Sequence, residues 1–222
     1  MQTVPRQTEF DVIGLELEGA VAVPERASGV VLFAHAGGAD RHNATDVQIA
    51  TELNQKRIAT VLVNLLTRRE QEIYAGSELA ITALGARLIA LIDNLAVREA
   101  TAGLPGGLCG TGTGAAGAFI AAAARPARVH AVLSRAGRPE LAGEFIRLVR
   151  CPTLLVVGET DGAVREVNER AQAEFPGTAR VARVPGASVM CEEPRAVELV
   201  TELAREWFPL RLGHAAAAAA SR

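Results

Sequence analysis

The stretch Gly107-Leu108-Cys109-Gly110-Thr111-Gly112-Thr113-Gly114-Ala115-Ala116-Gly117-Ala118-Phe119 constrains this chain more than any other. A short apolar run ends in alternating glycines, and an alanine-rich helical stretch follows to about Ala124. A strand that reverses directly into a helix needs small residues on both sides of the turn, because the helix start passes close to the strand it leaves. Gly110, Gly112 and Gly114 supply them. The chain is expected to place Gly112 at a strand-to-helix elbow, with a helix opening at Thr113.

The rest of the chain arranges itself around that elbow. Residues 10–24 read as two short strands, a hairpin at a sheet edge. Gly29 to Ala34 is a continuous apolar run, as in a strand covered on both faces. The loop Ala36-Gly37-Gly38-Ala39-Asp40-Arg41-His42 follows, and Asn43 caps a helix through about Lys56. Thr60 to Leu65 is the next strand. Ser77-Glu78 starts a long helix whose Ile81, Leu84, Leu88, Leu91, Ile92 and Leu95 form one apolar stripe. After the elbow strand, Gly107 to Gly110, comes a strand at Val129 to Leu133 and a short amphipathic helix at Pro139 to Val149. Thr153 to Val157 is a strand ending in Gly158-Glu159-Thr160-Asp161, and Val164 to Phe175 is helical. Arg180 to Val184 is the last strand and Pro194 to Phe208 the closing helix. Strands alternating with helices make βαβ units and a mostly parallel sheet with helices on both faces. Residues 1–213 read as one domain with little or no lid, and 214–222 as a low-complexity alanine tail.

Composition narrows the function classes. At 222 residues, 49% hydrophobic and 22% charged, the chain has the makeup of a globular domain with a substantial core. A net charge of −2 gives no electrostatic case for nucleic acid or an acidic membrane surface. Lys56 is the only lysine among many arginines, which with the alanine content points to a GC-rich, bacterial genome. Cys109, Cys151 and Cys191 are odd in number and widely spaced, which suits a reducing cytosol and argues against a disulfide framework or a metal site. Met1 to Glu9 lacks the apolar core of a signal peptide. No apolar run reads as long enough to span a membrane, so the chain is expected in the cytoplasm, without cofactor or metal.

Several stretches together resemble the dienelactone hydrolase-like branch of the α/β-hydrolases, over nearly the whole chain. They are Val30 to Gly38 with Arg41-His42, Thr60 to Thr67, the elbow, Ser134 to Pro139, Pro152 to Gly158, and Val184 to Ala187. In that fold the elbow is G-x-S-x-G and the catalytic order is nucleophile, acid, histidine. The resemblance puts the acid on Asp161, the nucleophile position on Gly112 and the histidine position on Val189. None of His35, His42, His130 and His214 lies in the loop around Val189. Glycine and valine can neither attack a carbonyl nor carry a proton, so the resemblance implies a degenerate triad without serine hydrolysis. It also implies an oxyanion hole from the N–H groups of Gly37 and Thr113. Thr111, Thr113 and Ser188 would add hydroxyls, and Val189 with Met190 an apolar wall. Two functions follow: a repurposed cyclase, lyase or isomerase acting on a small carbonyl, lactone or carboxylate compound, or a pseudo-hydrolase that binds a ligand or partner.

Individual residues keep two readings. Asp161 is a helix cap, or an acid whose pKa is raised by an apolar wall and lowered if backbone N–H groups hold it. Cys109 and Cys191 flank the two lost positions and either line the pocket or pack in the core. His35 braces loops. Arg41 and His42 either contact an anion or brace their loop, Arg68 and Arg69 read as a solvated loop, and Ser134-Arg135 as strand tips on the pocket side. A rival reading comes from Gly112-Thr113-Gly114-Ala115-Ala116-Gly117, which fits the dinucleotide fingerprint G-x-G-x-x-G, with Ser134-Arg135 suiting the 2′-phosphate of NADP.

Overall fold

Alternating runs of β-branched and aliphatic residues pair into one twisted sheet in the computed structural model, which describes residues 5–12, 14–35, 42–74 and 77–220. Among these residues the strands are β1 (Arg6–Val12), β2 (Leu15–Ala22), β3 (Gly29–His35), β4 (Ile58–Asn64), β5 (Gly106–Thr111), β6 (Val129–Arg135), β7 (Thr153–Gly158) and β8 (Ala179–Val184). Their order across the sheet is β1-β2-β4-β3-β5-β6-β7-β8. β1 and β2 form an antiparallel hairpin, β2 runs antiparallel to β4, and every later pairing is parallel. This is not the 3-2-1-4-5-6 order of a dinucleotide-binding sheet, and the glycine-rich turn follows the fifth strand rather than the first, which removes the NADP reading.

The crossover helices cover both faces. Helix α1 (Ala44–Gln55) and the long α6 (Pro194–Ala220) lie on one face, over Val31, Phe33, Leu62, Leu133 and Val156. On the other face, α3 (Glu78–Val97), α4 (Thr113–Ala124) and α5 (Gly162–Gln172) cover Val30, Leu32, Val61, Leu108 and Leu155. Two helix starts follow directly from their capping residues. The Asn43 side chain accepts from the N–H groups of Thr45 and Asp46, and the Ser77 hydroxyl accepts from Ala80 N–H.

Four expectations need correction. Arg68–Arg69 is not loop but the start of a short helix, α2 (Arg68–Tyr74), opened by a reciprocal box between Thr67 and Glu70. The segment Pro139–Leu148 is 3₁₀ rather than α, broken at Gly143 with φ 55°. The closing helix does not stop near Phe208 but runs on to Ala220, through most of the alanine tail. Finally, Ala80–Val97 is long and apolar enough to cross a membrane by length and composition, but half of that window is buried in the fold. Ile81, Leu84, Leu88, Leu91 and Leu95 are at most 5% exposed, so the apolar stripe serves the core of this domain.

Candidate functional site at the elbow

The turn between β5 and α4 is shaped by its three glycines in different ways. A Cβ on Gly110 would lie 2.5 Å from the Ala115 Cα, and one on Gly114 would lie 2.2 Å from the Ala34 carbonyl oxygen of β3. Those two positions are glycine because α4 starts against the strands. Gly112 is different: its φ of 55° and ψ of −123° are strained for an L-residue, yet a Cβ there would meet no described residue within 4 Å. The turn is held from both sides. Gly112 N–H donates to the Arg135 carbonyl (3.1 Å), and the Gly112 carbonyl accepts from Arg138 N–H and Ala115 N–H (3.3 Å each). Helix α4 begins with no side-chain cap among the described residues; of its first amides, Ala115 N–H is taken by the Gly112 carbonyl. Thr111 is buried beneath this turn and Thr113 half-buried at its mouth.

Asp161 and Val189 follow β7 and β8, so both loops leave the same sheet edge as the elbow. Asp161 is half-buried, and its Oδ1 accepts from Val164 N–H at 3.2 Å, capping α5. Of the two readings of Asp161, the hydrogen bond it makes is that of the cap. The loop from Ala187 to Cys191 is pinned at several points. Its Ala187 carbonyl accepts from the Thr160 hydroxyl (2.7 Å), Ser188 N–H donates to Glu193 (2.8 Å), and the Met190 carbonyl accepts from Arg135 (2.6 Å). Ser188 and Val189 are exposed at its crest, Val189 by 44%.

Arg135 is the residue whose role the sequence did not disclose. It is fully buried at the end of β6, where Nη2 pairs with Asp46 of α1 at 3.0 Å. Neither it nor the equally buried Ser134 is a tip open to a ligand, contrary to the expectation from strand position. The cysteines also lie inward. Cys109 and Cys191 belong to the core beneath α1 and α6, and the Cys191 Sγ donates weakly to the Ser188 carbonyl. Burial pushes the Cys109 thiol far above its usual range and the Cys191 thiol up to about 11. Both thiols are therefore held in the protonated form at neutral pH, which disfavours either as a nucleophile.

Gly37 and Arg41 fall outside the described residues. His35 is described for its backbone, which pairs with Asn64 at the end of β3. His42 is exposed, His130 begins β6 at the opposite sheet edge, and His214 is exposed near the end of α6. No group of three or more His, Cys, Asp or Glu side chains able to hold a metal occurs among the described residues.

No family model matches the chain. Over 205 residues, 91% of this chain, it is 42% identical to a protein of Mycobacterium tuberculosis named "Putative phosphoribosyl transferase", found in two strains. The match takes in 46% of that protein, so the chain spans about half the length of the curated relatives it matches. Among solved structures, the dienelactone hydrolase of Anabaena variabilis is 38% identical with a TM-score of 0.89, over 96% of this chain and 100% of that one. Est1E from Butyrivibrio proteoclasticus (16% identity, TM-score 0.77, 92% and 97% covered) shares the fold. So does a dienelactone hydrolase-like promiscuous phosphotriesterase from metagenomic libraries (17%, 0.69, 93% and 99%). With the sheet order, the glycine elbow and an identity of 38% that extends over a whole solved dienelactone hydrolase, the chain belongs to the dienelactone hydrolase family of α/β-hydrolases.

Proposed function

We propose that this chain is a dienelactone hydrolase-family domain that has left serine hydrolysis and binds a small carbonyl, lactone or carboxylate compound at the elbow. One observation carries the reading: at the turn where the fold presents its nucleophile stands Gly112, in strained backbone geometry, with no described residue within 4 Å of where a Cβ would be. The uncapped start of α4 supports an oxygen-bearing, anionic or polarised ligand, since helix N-termini favour negative charge. The capping role of Asp161 and the buried, protonated cysteines favour binding over turnover. A second reading, a repurposed lyase, cyclase or isomerase, has one point in its favour: among the described residues only one carboxylate oxygen of Asp161 is used by the cap.

The name of the mycobacterial relatives describes proteins about twice as long as the match. We assign any transferase chemistry to the part of those proteins outside it, because the matched residues here carry a hydrolase-family fold. In such an arrangement this domain supplies ligand binding to a longer chain.

The test has two steps. Fluorophosphonate probes should not label the protein, and p-nitrophenyl esters should turn over no faster than with a denatured control. A panel of lactones, enol lactones and carboxylates should then contain a compound that raises the melting temperature, by roughly 5–10 °C at a hundredfold excess over its Kd. Product analysis with that compound separates binding from conversion. Rapid ester hydrolysis by the unaltered chain would refute the proposal.

A further inference from the structure

Three segments meet the elbow edge of the sheet, and a single side chain touches two of them while its backbone holds the third. The Arg135 carbonyl takes the Gly112 N–H at 3.1 Å. Its Nη1 donates to the Met190 carbonyl at 2.6 Å, in the loop that carries Val189. Its Nη2 pairs with Asp46 at 3.0 Å, in the first turn of α1 and three residues past the cap Asn43. We infer that Arg135 is a positioning residue: it fixes the loop of residues 187–191 and the start of α1 relative to the elbow, independently of what the elbow binds.

The energetics favour this over a role in general stability. Arg135 and Asp46 are 0% and 2% exposed, so both charges have been taken out of water. A buried ion pair gains little or nothing over a well-packed apolar pair of similar volume, because desolvation offsets most of the attraction. The Arg135 Nε has no hydrogen-bond partner among the described residues, a further penalty that an apolar side chain would not carry. What an apolar pair cannot do is hold a carbonyl oxygen. The planar guanidinium can, donating to the carboxylate of one element and the carbonyl of another along fixed directions. The next turn adds to the rigidity: Ala136 has φ 49°, and Arg138 N–H returns to the Gly112 carbonyl.

Amide hydrogen exchange, read residue by residue on the full chain without any ligand, tests the inference. Arg135→Lys keeps the charge beside Asp46 but gives up the two-directional fork. It is expected to speed exchange at residues 187–191 and in the first turn of α1 by roughly tenfold or more, with the strands of the sheet core unchanged. The double variant Arg135→Met with Asp46→Leu is expected to melt within a few degrees of the parent yet keep the fast-exchanging loop. If the apolar pair restores both melting and slow loop exchange, Arg135 is only core filling and the inference is overturned. Parent-like loop exchange in Arg135→Lys, or exchange raised uniformly through the whole sheet, overturns it as well. None of these outcomes touches the binding proposal, whose readout is ligand-induced stabilisation.

Discussion

Gly112 and Gly114 stand two residues apart in one turn, and alanine at each should act in opposite ways to a simple propensity argument. Gly112 sits at φ 55° and ψ −123°, where alanine is strained by about 1–3 kcal/mol, partly offset by the roughly 0.4–1 kcal/mol that replacing glycine removes from unfolded-chain entropy. Its Cβ meets no described residue within 4 Å, so none of these adds a steric term. The net loss should be about 1 kcal/mol, a melting shift of roughly 2–4 °C for a chain of this size. Gly114 lies inside α4, where alanine should by propensity gain about 1 kcal/mol. Its Cβ, however, would stand 2.2 Å from the Ala34 carbonyl oxygen, and the partner is backbone rather than a side chain that can swing aside. Either α4 or β3 must move, at the upper end of overpacking penalties or beyond, leaving a net loss of about 3 kcal/mol or more and a drop of roughly 6–12 °C. Thermal melts of Gly112→Ala and Gly114→Ala by circular dichroism, with urea midpoints as a check, decide it. A Gly112→Ala variant as damaged as Gly114→Ala would refute the claim that the elbow kept room for a side chain.

The functional counterpart places a serine and a histidine at the two proposed triad positions: the double variant Gly112→Ser with Val189→His should take a fluorophosphonate label where the parent should not, and an unlabelled, folded double variant would count against those two triad assignments. Asp161→Asn should melt within about 1 kcal/mol of the parent, since asparagine caps equally well, while Asp161→Ala should lose about 1 kcal/mol; lost ligand stabilisation in the asparagine variant would mark Asp161 as part of the site. The Arg87 guanidinium, bonded to Glu70 at 2.6 Å, outweighs partial burial and holds the Glu70 carboxyl down to about 2. That stabilisation is present above pH 4.5 and lost as pH falls toward 2, so Glu70→Gln should lower stability at pH 7 by at most about 3 kcal/mol, with the gap closing in acid melts. The buried thiols run the other way: with Cys191 raised from 9.0 to about 11, stability should decline as pH rises between those values, and a thiol reagent at pH 8 should modify Cys109 and Cys191 only after unfolding in urea.

Much of the fold was written locally. The alternation of strand and helix, the caps Asn43 and Ser77, and the glycine elbow each follow from interactions within a few residues, and those are what a sequence displays. Helix α2 carries a local signal too, the Thr67-x-x-Glu70 box, masked by two arginines that suggest solvent. The break at Gly143 and the run of α6 to Ala220 were less legible, because glycine and alanine tolerate several backbone states. Other features were decided only by tertiary structure. An arginine ending a strand looks exposed until Asp46, far away in sequence, and the Met190 carbonyl close over it and make its burial tolerable. Cys109 and Cys191 flank the elbow and the Val189 position in sequence, yet the sheet and α6 turn both thiols into the core. Asp161 lies at a strand end where a cap and an acid look alike in sequence; only the position of Val164 N–H shows which hydrogen bond its carboxylate makes. Local chemistry specified the elements and the elbow, while the partners of each buried polar group came from residues that the chain brings together only by folding.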